Sequence, residues 1–381
     1  MANITDRATE TPALAPLEPA VGLEGVVVAE TRLSHVDGLA GRLEIAGCPV
    51  QELATVPTEE VAALLWRVAS GVHGPPLRAA LGRARLAAHR RAKRLGDALG
   101  QADAMDALRA SVAHLSAEDD EQASAIALTA AVAVFAAHAS RKRRGLKLVQ
   151  PDPELGHAED YLRLLRGEAP APEEAQALQL YWASVVDHGM NASTFAARVV
   201  ASTGSDLVSA VTAALGALKG PLHGGAPGPV LDMLHTIATP DAARPWLEAS
   251  LARGERIMGM GHRVYRVRDP RAEVLEGAVR SLCSTETKSV ALREKLELAR
   301  RVEQEATELL RARHPARSLS ANVEFYTAVL LDALGIASAD FTPTFAAGRV
   351  IGWCAHVMEQ RRTGRLIRPS SIYRRPERAQ A

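Results

Sequence analysis

The sequence predicts a mostly α fold with one small β element, and three observations carry that prediction. Apolar residues recur at helical spacing along most of the chain, as in Val61, Leu64, Leu65 and Val68, or Leu207, Val211, Ala214, Leu215 and Leu218. Strand signals are confined to GVVVAETRLSHVDGLAGRLEIAG, Gly25 to Gly47, where two β-rich segments flank a turn around Asp37-Gly38 and predict a hairpin. Aromatic residues are only 4% while alanine is abundant, a composition that suits helices packed closely through small side chains.

A length of 381 residues fits one large domain or a large and a small one, and 47% hydrophobic with 23% charged residues is the balance of a globular chain with a sizeable core. The net charge of +1 gives no global field toward nucleic acid or an anionic membrane. The run RKRRGLK (Arg141 to Lys147) therefore reads as a solvated loop after an apolar helix. Residues 1–20 carry early charges and prolines without a continuous apolar core, which predicts a flexible tail and a cytoplasmic protein. Ala123 to His138 is apolar but short and Ala-rich, so it predicts a buried helix rather than a membrane span. Cys48, Cys283 and Cys354 form no CxxC pair and predict neither a disulfide framework nor a zinc site; they read as small core residues. No HxxxH or carboxylate cage suggests a metal. Gly and Pro clusters punctuate the chain at Gly145 to Pro153, Gly167 to Pro172, Gly220 to Pro229 and Gly254 to Pro270.

Five stretches carry candidate chemistry. In GPLHGGAPGPVLDML, Gly224 and Gly225 after His223 permit positive φ and close approach of a ligand, and a following helix N-terminus disfavours imidazolium. A neutral His223 would donate to a carbonyl oxygen becoming an enolate; an ordinary turn histidine is the alternative. In MGMGHRVYRVRDPRAEVL, Asp269-Pro270 starts a helix and places Arg271 in its first turn, where a cation needs an anion: a ligand, or an acid such as Glu273. Gly259 and Gly261 hint at a phosphate-cradling loop, but no third glycine and no leading strand support a dinucleotide fold; His262, Arg263, Arg266 and Arg268 concentrate positive charge suited to a polyanion. In ANVEFYTAVLLDALGI, a helix from near Asn322 to Gly335 puts Glu324 in the first turn, where the dipole favours an ionised carboxylate, either a general base or a cap. In TPTFAAGRVIGWCAHVMEQRRTGRLIRPSSIY, Arg349 sits in a helix apolar nearly all round, so it must meet a core acid or an anionic ligand. In DHGMNASTFAARVV, His188 lies where one helix ends and another begins, with Asn191 or Ser193 as its cap.

Taken in order, DHGMNASTFAARVVAST, GALKGPLHGG, GMGHRVYRVRDPRA, NVEFYTA and EQRRTGRLIRPSSIY closely resemble the citrate synthase family, and GLEGVVVAET and GRLEIAG fit its short bacterial and archaeal type. The resemblance spans nearly all of the chain past residue 20. It implies a two-domain helical fold with a small N-terminal β-hairpin: a large dimer-forming domain of residues 21–221 and 331–381, and a small domain of residues 222–330 that closes over the substrates. It implies that His223, His262 and Glu324 are catalytic, that His188, Arg271 and Arg349 hold oxaloacetate, and that Arg368 reaches the other subunit of a homodimer. Arg266 and the loop Ile257, Met258, Gly259, Met260 and Gly261 match the coenzyme A side. The implied reaction, one of the tricarboxylic acid cycle, condenses acetyl-CoA with oxaloacetate through an enol; coenzyme A is part of a substrate, and no separate cofactor or metal is implied. Propionyl-CoA and 2-methylcitrate synthesis form the nearest alternative, and a non-catalytic CoA- or dicarboxylate-binding paralogue is one of a different class.

The chain departs from the family pattern in places. The usual acid in NVDFY is Asp, and the extra methylene of Glu324 moves the carboxylate outward by roughly a bond length, a displacement that for a misplaced base costs about a hundredfold in rate. Pro227 stands where Asn or Asp is frequent, and Arg266 where Lys is frequent.

Overall fold

Helical periodicity dominates the folded chain, as the spacing predicts. The computed structural model describes residues 20–23, 25–224, 227–284, 289–315 and 319–374. The α-helices are α1 (Val50–Leu53), α2 (Thr58–Ser70), α3 (Leu77–Ala92), α4 (Ala104–Ala113), α5 (Glu121–Arg143), α6 (His157–Arg166), α7 (Pro172–Val185) and α8 (Ala192–Ser202). They continue as α9 (Leu207–Leu218), α10 (Pro227–Ile237), α11 (Ala243–Ala252), α12 (Pro270–Leu282), α13 (Ser289–Arg313), α14 (Val323–Ala333) and α15 (Phe341–Thr363).

The β element is a three-stranded antiparallel sheet in the order β1 (Ser34–Asp37), β2 (Arg42–Ile45), β3 (Cys48–Pro49), with Ser34 opposite Ile45 and Asp37 opposite Arg42. Its turn falls where Asp37-Gly38 predicts it, because the Asp37 carboxylate accepts the backbone N–H groups of Leu39 (3.1 Å) and Ala40 (2.8 Å). The valines of GVVVAE lie outside the sheet, and Val27 is 87% exposed; β-branched side chains alone make no strand without a pairing partner.

α5 begins at an Asp120 cap and contains the whole of Ala123 to His138. It is long and apolar enough to cross a membrane by length and composition, yet it is almost entirely buried in protein, packed against α3, α4, α6 and α15. α15 is likewise buried nearly from end to end, which places Arg349 in the core. Cys283 and Cys354 are buried and Cys48 is half-buried, all three as free thiols.

Two compact units make up the chain. One is Thr31–Leu366, which holds the core; the other comprises Met1–Glu30 with Ile367–Ala381. Residues 1–19 of the predicted tail lie outside the described residues.

Candidate active site

Four of the singled-out residues sit at or just before helix N-termini. α7 ends at Val185, His188 follows in the turn, and α8 starts on the Asn191 cap, whose side chain accepts the Thr194 N–H at 3.1 Å. His223 lies in the turn after α9. Gly224 does not adopt positive φ; it is small because a Cβ there would lie 2.5 Å from the Leu218 carbonyl oxygen, and Gly225 lies outside the described residues. Arg271 is in the first turn of α12 and Glu324 in that of α14, capped by Asp269 and Asn322 as the sequence predicts.

Arg271 and Arg349, both buried, resolve differently. Arg271 pairs as a fork with Asp269, Nε to Oδ1 at 3.0 Å and Nη2 to Oδ2 at 2.7 Å. The local acid is thus the capping aspartate, while Glu273 is exposed. Arg349 has no ion-pair partner among the described residues, although it is 2% exposed. Its Nε donates to the Val185 carbonyl, its guanidinium lies 4.6 Å from the Phe345 ring centroid, and burial lowers its pKa to about 10. The nearest acid by electrostatic influence, Asp187, already accepts from His356 Nε2 (3.0 Å) and Ser34 Oγ (2.6 Å). An uncompensated buried guanidinium calls for an anion.

The imidazoles beside them are neutral. Burial, reinforced by Arg349, lowers the pKa of His223 to about 4; burial, reinforced by Arg271, lowers that of His262 to about 4. Burial therefore outweighs the helix terminus that the sequence suggested for His223. His188 is pushed well below its ordinary value by burial, then by Arg271, His262 and Arg349. His262 Nδ1 accepts the backbone N–H groups of Val264 (2.9 Å) and Tyr265 (3.1 Å), so the proton of the neutral ring resides on Nε2. The 3.5 Å separation of that Nε2 from Arg271 Nη2 is then a contact between two donors. His223 Nε2 lies 2.8 Å from Ser193 Oγ, which accepts from Trp353 Nε1 at 3.2 Å. Ser193 Oγ also lies 2.8 Å from Asn191 Oδ1, which only accepts, so its single proton has two acceptors in reach and does not by itself fix which nitrogen of His223 carries the ring proton. Tyr265 packs 4.7 Å from the His262 ring centroid, and its hydroxyl lies 3.2 Å from His188 Nε2.

Glu324 differs from its sequence expectation. Its carboxylate forms no hydrogen bond or ion pair among the described residues, and burial raises its pKa to about 7 against the opposing pull of Arg271. The helix dipole does not hold it ionised. A carboxyl with proton affinity matched to neutral pH, placed beside cations, is a competent general base.

The structure thus gathers His188, His223, His262, Arg271, Arg349 and Glu324 into one electrostatically connected cluster. The loop Ile257–Gly261 joins the start of α14: Gly261 N donates to Ser320 O (2.8 Å) and Asn322 N to Gly259 O (2.9 Å). Gly259 has φ +75° and a Cβ there would meet Phe325 at 2.9 Å, so this glycine is required twice over. Ile257 is buried, Met258 and Met260 are half-buried, and the Arg266 side chain is exposed while its N–H donates to Gly38 O at 2.8 Å. Arg368 belongs to the other compact unit and is exposed. Among the described residues, no group of three or more His, Cys, Asp or Glu side chains is arranged to hold a metal.

The model of the family described as "Citrate synthase, C-terminal domain" matches residues 22–370. The chain belongs to the citrate synthase family. Over 204 residues it is 48% identical to the putative citrate synthase 2 of Mycobacterium tuberculosis, a match covering 54% of this chain and 52% of that one, so the chain spans about half the length of that relative. It is 38% identical over 366 residues to the 2-methylcitrate synthase of the same organism, covering 92% and 89% of the two chains. Among solved structures, the citrate synthase of the thermophilic archaeon Thermoplasma acidophilum, in a ternary complex with carboxymethyl coenzyme A and oxaloacetate, superposes with a TM-score of 0.83 at 27% identity, covering 96% of this chain and 98% of that one. Citrate synthases are helical, and this chain follows them in that. Sequence reasoning missed three members of the site. Ser193 was legible only as a possible cap; Tyr265 resembled any loop aromatic; Asp269 was read as a cap without its second task of pairing with Arg271.

Proposed function

We propose that the chain joins oxaloacetate to an acyl-CoA thioester, with acetyl-CoA the leading acyl donor and citrate and free coenzyme A the products. The observation that carries this reading is Arg349, a buried and unpaired cation beside two neutral imidazoles and a carboxyl poised near pH 7. One carboxylate of oxaloacetate meets Arg349 and His188; the other meets Arg271 and the partner subunit's Arg368 across a homodimer. His262 Nε2–H donates to the ketone oxygen. Glu324 takes a proton from the acetyl methyl while the neutral His223 ring donates to the thioester oxygen, stabilising the enol. The enol carbon then bonds to the ketone carbon, the ketone oxygen takes a proton from His262, and the cycle closes as Glu324 releases its proton to solvent and His262 regains one from it. Water cleaves the citryl thioester, giving citrate and the free thiol.

Coenzyme A enters as part of the substrate, along the Ile257–Gly261 loop and Arg266, and developing charge is met by N–H donors, so no metal is needed. Residues 222–330 act as a small domain closing on the large domain of residues 21–221 and 331–381. The reaction is placed in the cytoplasm, in keeping with its free cysteines. The likeness to a 2-methylcitrate synthase supports propionyl-CoA as a second acyl donor, since one methylene in an apolar pocket is worth only about 1–3 kcal/mol.

The test is oxaloacetate-dependent thiol release by the purified protein, with acetyl-CoA and propionyl-CoA compared and EDTA present or absent. Release unaffected by EDTA is expected, and the two acyl donors rank by kcat/KM. No release with either thioester would favour a non-catalytic binding protein.

A further inference from the structure

Arg268 stands between His262 and Arg271 in the chain, and no group assigned to the reaction bonds to it. Its Nε donates to Glu303 Oε1 (2.8 Å), and its Nη2 donates to Glu276 Oε2 (2.8 Å) and Glu303 Oε2 (3.0 Å). The guanidinium also lies 5.4 Å from the centroid of the Tyr326 ring, whose hydroxyl donates to Glu303 Oε2 at 2.6 Å. Arg300 Nη2 lies 2.7 Å from Glu276, and the more exposed Arg280 Nη2 lies 3.5 Å from it. Both carboxylates are met by arginines of this chain, so the cluster needs no ligand to balance them. The glutamate side chains are only 12% and 17% exposed and that of Arg268 34%, which separates this fork from an ordinary surface pair.

Each contact reaches a different element. Glu276 is on α12, the helix of Arg271; Glu303 is on α13; Tyr326 is on α14, two residues past Glu324. Arg268 itself ends the loop that carries His262. Beside the bonds of Gly259, Gly261 and Asp269 to residues 320–323, Arg268 thus adds a side-chain tie between the loop of the histidine that would polarise the ketone and the body of the helix that carries the base.

We propose that Arg268 is a positioning residue that fixes the His262 loop relative to α14, and so sets the approach of the polarised ketone to the enol. This rests on the condensation proposed above. The chemistry divides cleanly between steps, because proton removal uses Glu324 and His223, neither of which is on the loop, whereas carbon–carbon bond formation also needs His262. Reacting atoms must approach to about 3–3.5 Å, and a misplacement of about 1 Å costs roughly a hundredfold. Loosening the clamp slows bond formation and lets the enol return to the thioester.

The test uses the full-length protein with Arg268→Met and Arg268→Lys. Thiol release gives kcat and KM, and reaction in D2O with recovery of unreacted acetyl-CoA gives the methyl hydrogens exchanged per thiol released. Arg268→Met should lower kcat roughly 30- to 100-fold, leave the oxaloacetate KM within about threefold, and raise exchange per turnover above the wild type. Arg268→Lys, able to meet one carboxylate at a time, should fall between. If Arg268→Met does not fold, Tyr326→Phe, which removes one link and keeps both ion pairs, carries the same exchange measurement. A wild-type kcat in Arg268→Met, or a fall in kcat with no rise in exchange per turnover, overturns the positioning role. A wild type that releases no thiol defeats the proposed function instead, and this role with it.

Discussion

Glu324→Gln should make the protein more stable and less active at once. Burial raises the carboxyl from its ordinary 4.5 to about 7, so between those values the folded state holds a proton that the unfolded state has released. Stability therefore falls as pH rises through this window and levels off above 7. With those two values, keeping Glu324 ionised costs the fold about 3 kcal/mol at pH 8 and about 1 kcal/mol at pH 5. Glutamine keeps the shape without the charge. Denaturant unfolding should show Glu324→Gln more stable than wild type by up to about 3 kcal/mol at pH 8, with the gain shrinking toward pH 5. The same variant should lose about a hundredfold or more in kcat with the oxaloacetate KM nearly unchanged, and wild-type kcat/KM should fall about tenfold per pH unit below 7. A Gln variant with wild-type turnover and no gain in stability at pH 8 would mean a solvated carboxylate that is not the base.

Other consequences are as direct. Arg349→Ala should weaken oxaloacetate binding by roughly 2–5 kcal/mol, read as a rise in KM or in a calorimetric Kd; unchanged binding would show that another group holds the carboxylate. Ser193→Ala removes the hydroxyl that holds His223 Nε2 and should lower kcat about tenfold with little change in the oxaloacetate KM, and equal kcat would detach Ser193 from the reaction. His223 and His262, at about 4, and His138, at about 3, stay neutral when folded, so each costs about 2 kcal/mol of stability at pH 5 relative to pH 8. The three together exceed the opposing gain at Glu324, and Tm should fall as pH drops from 6.5 toward 4; a flat Tm would refute their burial. Mixing Arg368→Ala with Glu324→Ala protein should restore activity through heterodimers with one intact site, and verified subunit exchange without recovery would count against a shared site.

What the sequence makes legible here is local. Asp269-Pro270 and Asn322 mark helix starts because capping is settled within a few residues, and Arg349 stands out because a cation among apolar neighbours is an anomaly at any distance. The valines near residue 27 mislead, since a strand depends on a partner and propensity does not supply one. The Asp269 fork was hidden by its second task at the helix cap. The proton affinity of Glu324 was hidden more deeply: Arg271, which lowers it, and the burial that raises it come from segments far apart in the chain, and the dipole argument alone pointed the other way.

The His262 ring owes its tautomer to two main-chain N–H groups, those of residues 264 and 265. Every residue type except proline supplies that donor, so the proton on Nε2 is specified by the path of the backbone and is indifferent to the side chains along it. The side chains at positions 263 and 264 therefore play no part in choosing the tautomer. The substitution this segment tolerates least is proline at position 264 or 265, which would delete one of the two donors and weaken the hold that keeps the ring proton on Nε2.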